Sequence, residues 1–245
     1  MGVGRVVMIL GVGVLSLWGS WNYRVLSPLM GTLGTIQISK SVTQNRYRMD
    51  VKVKTKGFAR TLTGKRREHY SSEGVVENGV MKSRHLRLER QTNKKRQVDD
   101  YWADPEKKRI VKRRLRWKKG KLDQNSTKVL PYYSDEDLLT LYFNAIPKIL
   151  DPKSGDHWEI MAVGAEKIKG KIIIDRLSGE AAARARRDLK VGENMPIIVL
   201  HSPRKIAGKR NRRFTAALDE EGLPFRIRFI AIPVVGEILV ERVEK

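Results

Sequence analysis

The stretch Tyr47-Arg48-Met49-Asp50-Val51-Lys52-Val53-Lys54 alternates apolar with polar or charged side chains at every step. Successive side chains of an extended chain point to opposite faces, so such a run buries one face only as a strand whose other face is wet. Shorter runs of the same kind recur. Thr32 to Ser39 alternates in its second half, and Met81 to Leu88 sets Leu86 and Leu88 against Arg87 and Glu89. Between Ser72–Val76 and Met81–Leu88 stand Asn78 and Gly79, both of which accept positive φ and so favour a type I′ hairpin turn. Lys118-Lys119-Gly120-Lys121 makes a second hairpin tip after Ile110 to Trp117, and Phe58 to Leu62 is a further β-prone run. Later runs are Trp158–Val163, Ile168–Ile174, Ile197–Leu200, Phe214–Leu218, Phe225–Ile232 and Val234–Val243. The expectation is a mainly β fold of roughly a dozen short strands. It is a curved antiparallel sheet, or an open or partly closed β-barrel, forming one domain over residues 22–245. Asp151 to Gly155 is a loop within it.

One segment breaks the β pattern. Ser134 is placed to cap a helix, and Asp135, Glu136 and Asp137 suit the positive end of its dipole. Leu138 to Ile146 follows, and Pro147 is expected to end it. The helix is apolar nearly all round and should be buried on the concave face of the sheet. Leu138, Leu141, Tyr142 and Ile146 are expected to line a cavity that shelters an acyl chain. The alanine-rich Gly179 to Leu189 is a second helical candidate.

Ahead of the β pattern, Arg5 precedes the apolar run Val6 to Trp18, and Gly19-Ser20-Trp21 follows. One positive charge, an apolar stretch and small residues have the layout of a secretory signal. The run is short of the roughly 20 residues that span a bilayer. Leu17 is not the small residue a cleavage site wants, so residues 1–21 are read as a signal peptide or an uncleaved N-terminal anchor. Either places the domain in the periplasm, with membrane contact through residues 6–18 in the anchored case.

The formal charge of +23, from 50 Lys+Arg and 27 Asp+Glu, favours polyanionic partners. Between Lys82 and Lys121 there are 17 Lys+Arg and 5 Asp+Glu. On a strand Lys112, Arg114 and Arg116 share one face, with Arg113, Leu115 and Trp117 on the other. With Lys118 and Lys119, and Trp117 for stacking, these are the candidate anion-binding residues. A solvated strand face has the same pattern. Lys209 to Arg213, and Arg184, Arg186 and Arg187, read as exposed clusters.

Enzyme chemistry finds little support. A chain with no cysteine has no disulfide, thiolate nucleophile or cysteine-bound zinc. His69, His85, His157 and His201 lack metal-ligand spacing, and no Gly-x-Ser-x-Gly or phosphate-loop pattern is present. No catalytic residue, metal or cofactor is assigned. His157 beside Asp156 or Glu159 in a polar cleft would be the arrangement to change that.

Tyr23-Arg24-Val25, the strand with Gly31 and Gly34, and Tyr133-Ser134-x-Glu136-Asp137-Leu138-Leu139 leading to Tyr142-Phe143 occur in that order. Asp219-x-x-Gly222-Leu223-Pro224-x-Arg226-Ile227 and Gly236-x-Ile238 close the chain. This order resembles a proteobacterial family of exported β-domain proteins known only as a domain of unknown function. The resemblance implies a periplasmic location and a curved sheet around a helix. That architecture is similar to lipoprotein carriers of the LolA and LolB type.

The function expected is non-enzymatic binding or scaffolding in the cell envelope. The partner would be a lipid, a lipoprotein or an anionic envelope polymer. The alternative is a basic nucleic-acid-binding protein using residues 82–121.

Overall fold

In a computed structural model the chain is described over residues 17–165, 170–202, 212–232 and 236–243. The first meander runs through β1 (Leu17–Ser27), β2 (Gly31–Thr43), β3 (Arg46–Thr55), a helical turn α1 (Gly57–Leu62), β4 (Arg67–Glu77) and β5 (Val80–Gln91). It continues with β6 (Lys95–Asp104), β7 (Arg109–Lys118) and β8 (Lys121–Val129), and helix α2 (Thr140–Leu150) follows. The second meander comprises β9 (His157–Met161), β10 (Lys171–Leu177), helix α3 (Gly179–Leu189), β11 (Ile197–Ser202), β12 (Arg212–Leu218), β13 (Pro224–Ile232) and β14 (Gly236–Val243).

The strands form one 14-stranded antiparallel sheet in the order β8-β7-β6-β5-β4-β3-β2-β1-β14-β13-β12-β11-β10-β9. The fold class expected from the alternation is therefore observed. Each meander is a run of hairpins, and the two join where β1 pairs β14, from Asn22↔Val243 to Leu26↔Leu239. The sheet is not closed, and β8 and β9 are its edges. The segment before α2 runs past the end of β9. Ser134 Oγ donates to Met161 O at 2.6 Å, Val163 N to Glu136 O at 2.8 Å and Leu138 N to Val163 O at 3.2 Å. The β8 edge carries polar side chains such as Asp123, Gln124, Ser126 and Lys128 and is exposed along nearly its whole length. Charged, wet edges resist pairing with other chains.

Asn78 and Gly79 take φ of 51° and 78°, the turn expected of that pair. Gly74 faces a bulge in the β4–β5 pairing. A Cβ there would lie 2.1 Å from the Lys82 carbonyl oxygen, so only glycine lets the strands approach.

The core lies on the inner face. Leu86, Leu88, Tyr101, Ile110 and Val163 form one buried cluster, and Ile172, Ile174, Ile198, Ala216 and Leu218 belong to another. Helix α2 fills the second with Leu141, Ala145 and Ile149. On its other side Phe143 packs toward Tyr47, Met49 and Met81. The Asn144 side chain accepts from Met81 N at 3.0 Å and donates to Met81 O at 2.9 Å. A helix in the concavity was expected, but its ends differ. Ser134 is committed to the β9 side, and Asp137 caps instead, its Oδ1 accepting from Leu139 N at 2.8 Å and Thr140 N at 3.0 Å.

Pro147 lies within α2 rather than ending it. An interior proline costs about 3 kcal/mol, and burying Ile149 returns roughly 1.5–3 kcal/mol. Arg176 adds more by donating to the carbonyl of Ile149 in the last turn at 3.0 Å, and just beyond the helix to those of Asp151 at 2.9 Å and Pro152 at 3.1 Å.

Helix α3 spans the expected residues and packs Ala182 and Leu189 on Ile197 and Ala217, on the outer face. Phe58 to Leu62, expected as a strand, is α1. Gly57 at φ 52° turns the chain out of β3, β3 pairs directly with β4, and the Thr63 amide closes a helical turn on Ala59 O at 3.0 Å. Strand β1 takes in Leu17 to Trp21, the last residues of the segment read as targeting. Val6 to Ser16, the strand starts at Ile168 and Val234, and most of the Lys205–Arg213 cluster lie outside the described residues. No helix among the described residues is long and apolar enough to cross a membrane.

Candidate ligand-binding face

Strand register lines up the inner face in rungs. One runs Trp21–Ile38–Val51–Tyr70–Leu88–Asp99–Arg114 across β1 to β7, each residue paired with the next. The adjacent rung runs Tyr23–Ile36–Val53–Glu68–Arg90–Gln97–Arg116. Both are apolar on β1 to β3; the second turns polar or charged from Glu68 on β4, and the first, after Tyr70 and the buried Leu88, from Asp99 on β6. Ile36, Ile38, Val51 and Val53 are only half-buried, although they share a face with the fully buried Met49. Across the β1–β14 pair the apolar surface continues as Ile238–Phe229–Phe214–Leu200–Ile174–Trp158, half-buried at every position but Ile174. The Phe214 and Phe229 rings meet edge to face at 4.6 Å.

At the charged end, Arg90 Nε donates to the Tyr70 hydroxyl at 3.2 Å, and its guanidinium stands 5.5 Å from the ring centroid. Glu68 is at 4.0 Å. Arg90 Nη2 is buried and has no hydrogen-bond partner among the described residues. A buried donor left unmade costs roughly 1–3 kcal/mol, so such an atom marks a place where something polar is missing.

Beside it Asp99 accepts from Arg114 at 2.5 and 3.1 Å and from Gln97 at 2.7 Å. Lys112, 2% exposed, lies 3.6 Å from Asp99 and donates to the Tyr101 hydroxyl at 3.0 Å. Burial pushes the Asp99 carboxyl up, but the Arg114 hydrogen bonds and the Lys112 and Arg114 charges outweigh it and hold it below the usual range.

The anion-binding residues expected from sequence are thus divided. Lys112, Arg114 and Arg116 do share a face, but it is the inner one, and Lys112 is buried rather than solvated. Arg116 and Lys118 pair with Asp123 at 2.6 and 3.2 Å. Trp117 packs under Arg96 on the outer face, 4.9 Å from centroid to guanidinium. Lys119 stands at the hairpin tip with φ 49°. Sequence reasoning missed Arg90. Its signal was the alternation that puts it on the same face as Leu86 and Leu88.

Leu141 is buried in the core, and Leu138 and Tyr142 pack against the same cluster. Tyr142 donates to the Gly222 carbonyl, and burial pushes its hydroxyl well above the usual range. Ile146 lies against Gly222. These four hold α2 on the sheet, and the clefts described next carry none of them. A cleft of about 610 Å³ is lined by Leu150, Met195 and Phe225, with Glu193, Glu220 and Glu221 around it. Smaller ones of about 470, 300 and 250 Å³ include Arg46 and Arg84, Arg24 and Lys52, and Arg67 and His69.

Each histidine meets a carboxylate on the outer face. His69 lies 2.7 Å from Asp50 and His85 lies 3.1 Å from Asp100. His157 and His201 both lie 2.6 Å from Asp175. His157 is 3.8 Å from Glu159 and well exposed, outside the clefts described here. Among the described residues no three His, Asp or Glu side chains are grouped to hold a metal.

A comparison with curated proteins finds no match. Among solved structures, the crystal structure of a β-barrel-like protein of the domain of unknown function DUF1849 from Brucella abortus is similar, with a TM-score of 0.54 at 10% identity. The alignment covers 94% of this chain and 96% of that one, and at this identity it bears on the fold alone. Residues 21–241 match the model of a family described as protein of unknown function, DUF3108, and the chain belongs to that family.

Proposed function

We propose that this is a non-enzymatic binding protein of the cell envelope that seats an amphiphile, an apolar chain ending in an anionic group, on the inner face of its sheet. The observation that carries this is Arg90. A buried guanidinium nitrogen with no hydrogen-bond partner among the described residues shares the inner face with an apolar strip, Ile36, Ile38, Val51 and Val53, that its own fold leaves half-covered, and only Glu68 and Tyr70 of β4 stand between them. An acyl chain laid along the strip would remove it from water, at about 25 cal/mol per Å². A carboxylate or phosphate at its end would pair with Arg90 by charge-assisted bonds. The apolar rung on β9 to β14 extends the same surface.

The apolar run Val6 to Trp18 supports export to the periplasm, with a tether if it is not cleaved. The nucleic-acid alternative is weakened because Arg114, Arg116 and Lys118 are each paired with an aspartate.

The test is a titration with cis-parinaric acid, a fluorescent fatty acid, comparing the parent chain with Arg90→Gln and Val51→Asp. Saturable binding that weakens in both variants is expected. Binding unchanged in both, or absent from the parent, would sink the proposal. Fractionation of native host cells with sequencing of the mature N-terminus tests the location.

A further inference from the structure

Three connections at one end of the first meander are tied into a single rim. Lys56 N donates to Leu33 O at 2.7 Å, Asn93 N to Gly64 O at 2.9 Å, and Lys119 N to Lys94 O at 2.9 Å. These bonds link the start of β2, the β3–β4 connection with α1, the β5–β6 turn and the β7–β8 turn. The Pro28–Met30 turn joins them, because β2 begins at Gly31 and pairs with β3 up to Gly34↔Thr55.

The rim is free of acids. Residues 56–67 carry Lys56, Arg60, Lys65, Arg66 and Arg67 and no Asp or Glu. Residues 92–96 carry Lys94, Lys95 and Arg96, and residues 118–121 carry Lys118, Lys119 and Lys121, again without an acid. Three of these cations reach carboxylates in the strands, namely Arg66 to Glu68, Arg96 to Glu89 and Lys118 to Asp123. The others have no ion pair among the described residues. At the opposite end of the same strands Glu77, Asp104 and Glu106 stand among the cations.

Large apolar side chains stand on the same rim. Leu29 is 75% exposed, Leu62 57%, Leu122 55% and Phe58 52%. Phe58 and Leu62 are four residues apart and so share one face of α1, a helical turn none of whose residues is buried. Leu29, Leu62 and Leu122 offer bases no stacking face and Phe58 alone could stack, so the rim lacks the successive aromatics of a single-strand nucleic-acid platform. Apolar side chains projecting among cations without carboxylate partners match the boundary between headgroups and acyl chains in an anionic bilayer.

The geometry points to this rim as a docking surface for an anionic phospholipid bilayer, with Phe58 and Leu62 entering the acyl boundary and the cations meeting headgroup phosphates. The surface is separate from the inner face.

Because the chain has no cysteine, single cysteines introduced by F58C, L62C or K107C can carry an environment-sensitive nitrobenzoxadiazole label in the full chain. Vesicles of phosphatidylglycerol and phosphatidylcholine in equal parts should shift the label at 58 or 62 to the blue and expose it to quenching by nitroxide lipids. The label at 107, on the opposite end, should stay in water. R60E/K65E/K94E should weaken vesicle affinity by roughly a hundredfold, at about one kilocalorie per mole for each cation, whereas K107E/K153E/R184E should leave it within a small factor. Labels at 58 and 62 that stay aqueous on bound protein would overturn the docking surface, as would an equal loss in the second triple variant. Single-stranded DNA that displaces the vesicles, with F58S/L62S binding them as the parent does, would assign the rim to polymer phosphates instead.

Discussion

The hydroxyl of Ser83 on β5 donates to Oδ2 of Asp137 at 2.6 Å, across 54 residues of sequence. Ser72 on β4 donates to the same oxygen at 2.5 Å, and Tyr47 and Ser72 share a hydrogen bond of 2.9 Å. With the amides of Leu139 and Thr140 on Oδ1 at 2.8 and 3.0 Å, and the Thr140 hydroxyl at 3.4 Å, a wholly buried carboxylate has five donors. One side chain therefore caps α2 and fixes it to the inner face.

Asp137→Ala should cost about 3 kcal/mol in guanidinium unfolding, because it strands two hydroxyls and two amides away from water. Ser83→Ala, which leaves the other donors in place, should cost about 1 kcal/mol. Equal losses in the two variants would count against the shared-carboxylate account.

The Asp99–Lys112 pair predicts an asymmetry. Asp99→Ala takes the carboxylate away from both Arg114 and the buried Lys112 and should destabilise by about 3–5 kcal/mol. Lys112→Met leaves Asp99 still held by Arg114 and Gln97 and should lie within about 1 kcal/mol of the parent. The folded-state pKa of Asp99 is depressed, so its contribution is present above the unfolded value of about 3.9 and is lost as pH falls through the folded one. Thermal melts of Asp99→Asn between neutral and acid pH should show a flatter acid limb than the parent.

Glu136 has the opposite sign. Burial pushes its carboxyl up, the Asn144 hydrogen bond lowers it only in part, and Oε2 is buried with no hydrogen-bond partner among the described residues. A raised folded-state pKa contributes stability that is complete below the unfolded value and is lost as pH rises through the folded one. Glu136→Gln keeps an acceptor for Asn144 and should stabilise at pH 7. That gain should vanish below about pH 4.

On the inner face, Arg90→Gln should reduce affinity for a fatty acid more than for its methyl ester. Ile36→Asp, within the strip, should reduce both. Isothermal titration of each ligand separates the cases, and a shared response to Arg90→Gln would show that the residue shapes the strip rather than reading charge.

Pro147→Ala should stabilise by about 1–3 kcal/mol, since it restores an amide to α2 at an exposed position. A loss would mean that the last turn is built around the ring.

Local pattern made much of this fold legible. Alternation along Tyr47 to Lys54 and the Asn78-Gly79 turn marked strands and a hairpin, because period and turn chemistry act over a few residues. What failed depends on partners far away in sequence. Lys112 was grouped with Arg114 and Arg116 on one face, but that this face is the inner one, and that Lys112 is buried there, depends on Asp99 and Tyr101 on β6. Ser134 looked like a cap, but Met161, 27 residues on, takes its hydroxyl. Arg90 drew no reading from sequence, because the burial of its Nη2 depends on neighbours such as Tyr70 and Glu68 on another strand. The packing role of Leu138, Leu141 and Tyr142 likewise depends on where β10 to β12 cross beneath α2.

The β1–β14 seam sets the order in which this molecule can be assembled. Arg24 bonds Glu241 at 2.8 Å across 217 residues, so the middle of the sheet waits for the last strand to be synthesised. Until then β1 has β2 on one side and bare backbone on the other. Joining ends so distant in sequence is slow, and a nascent chain held open in this way keeps an adhesive strand exposed for as long as its translation lasts.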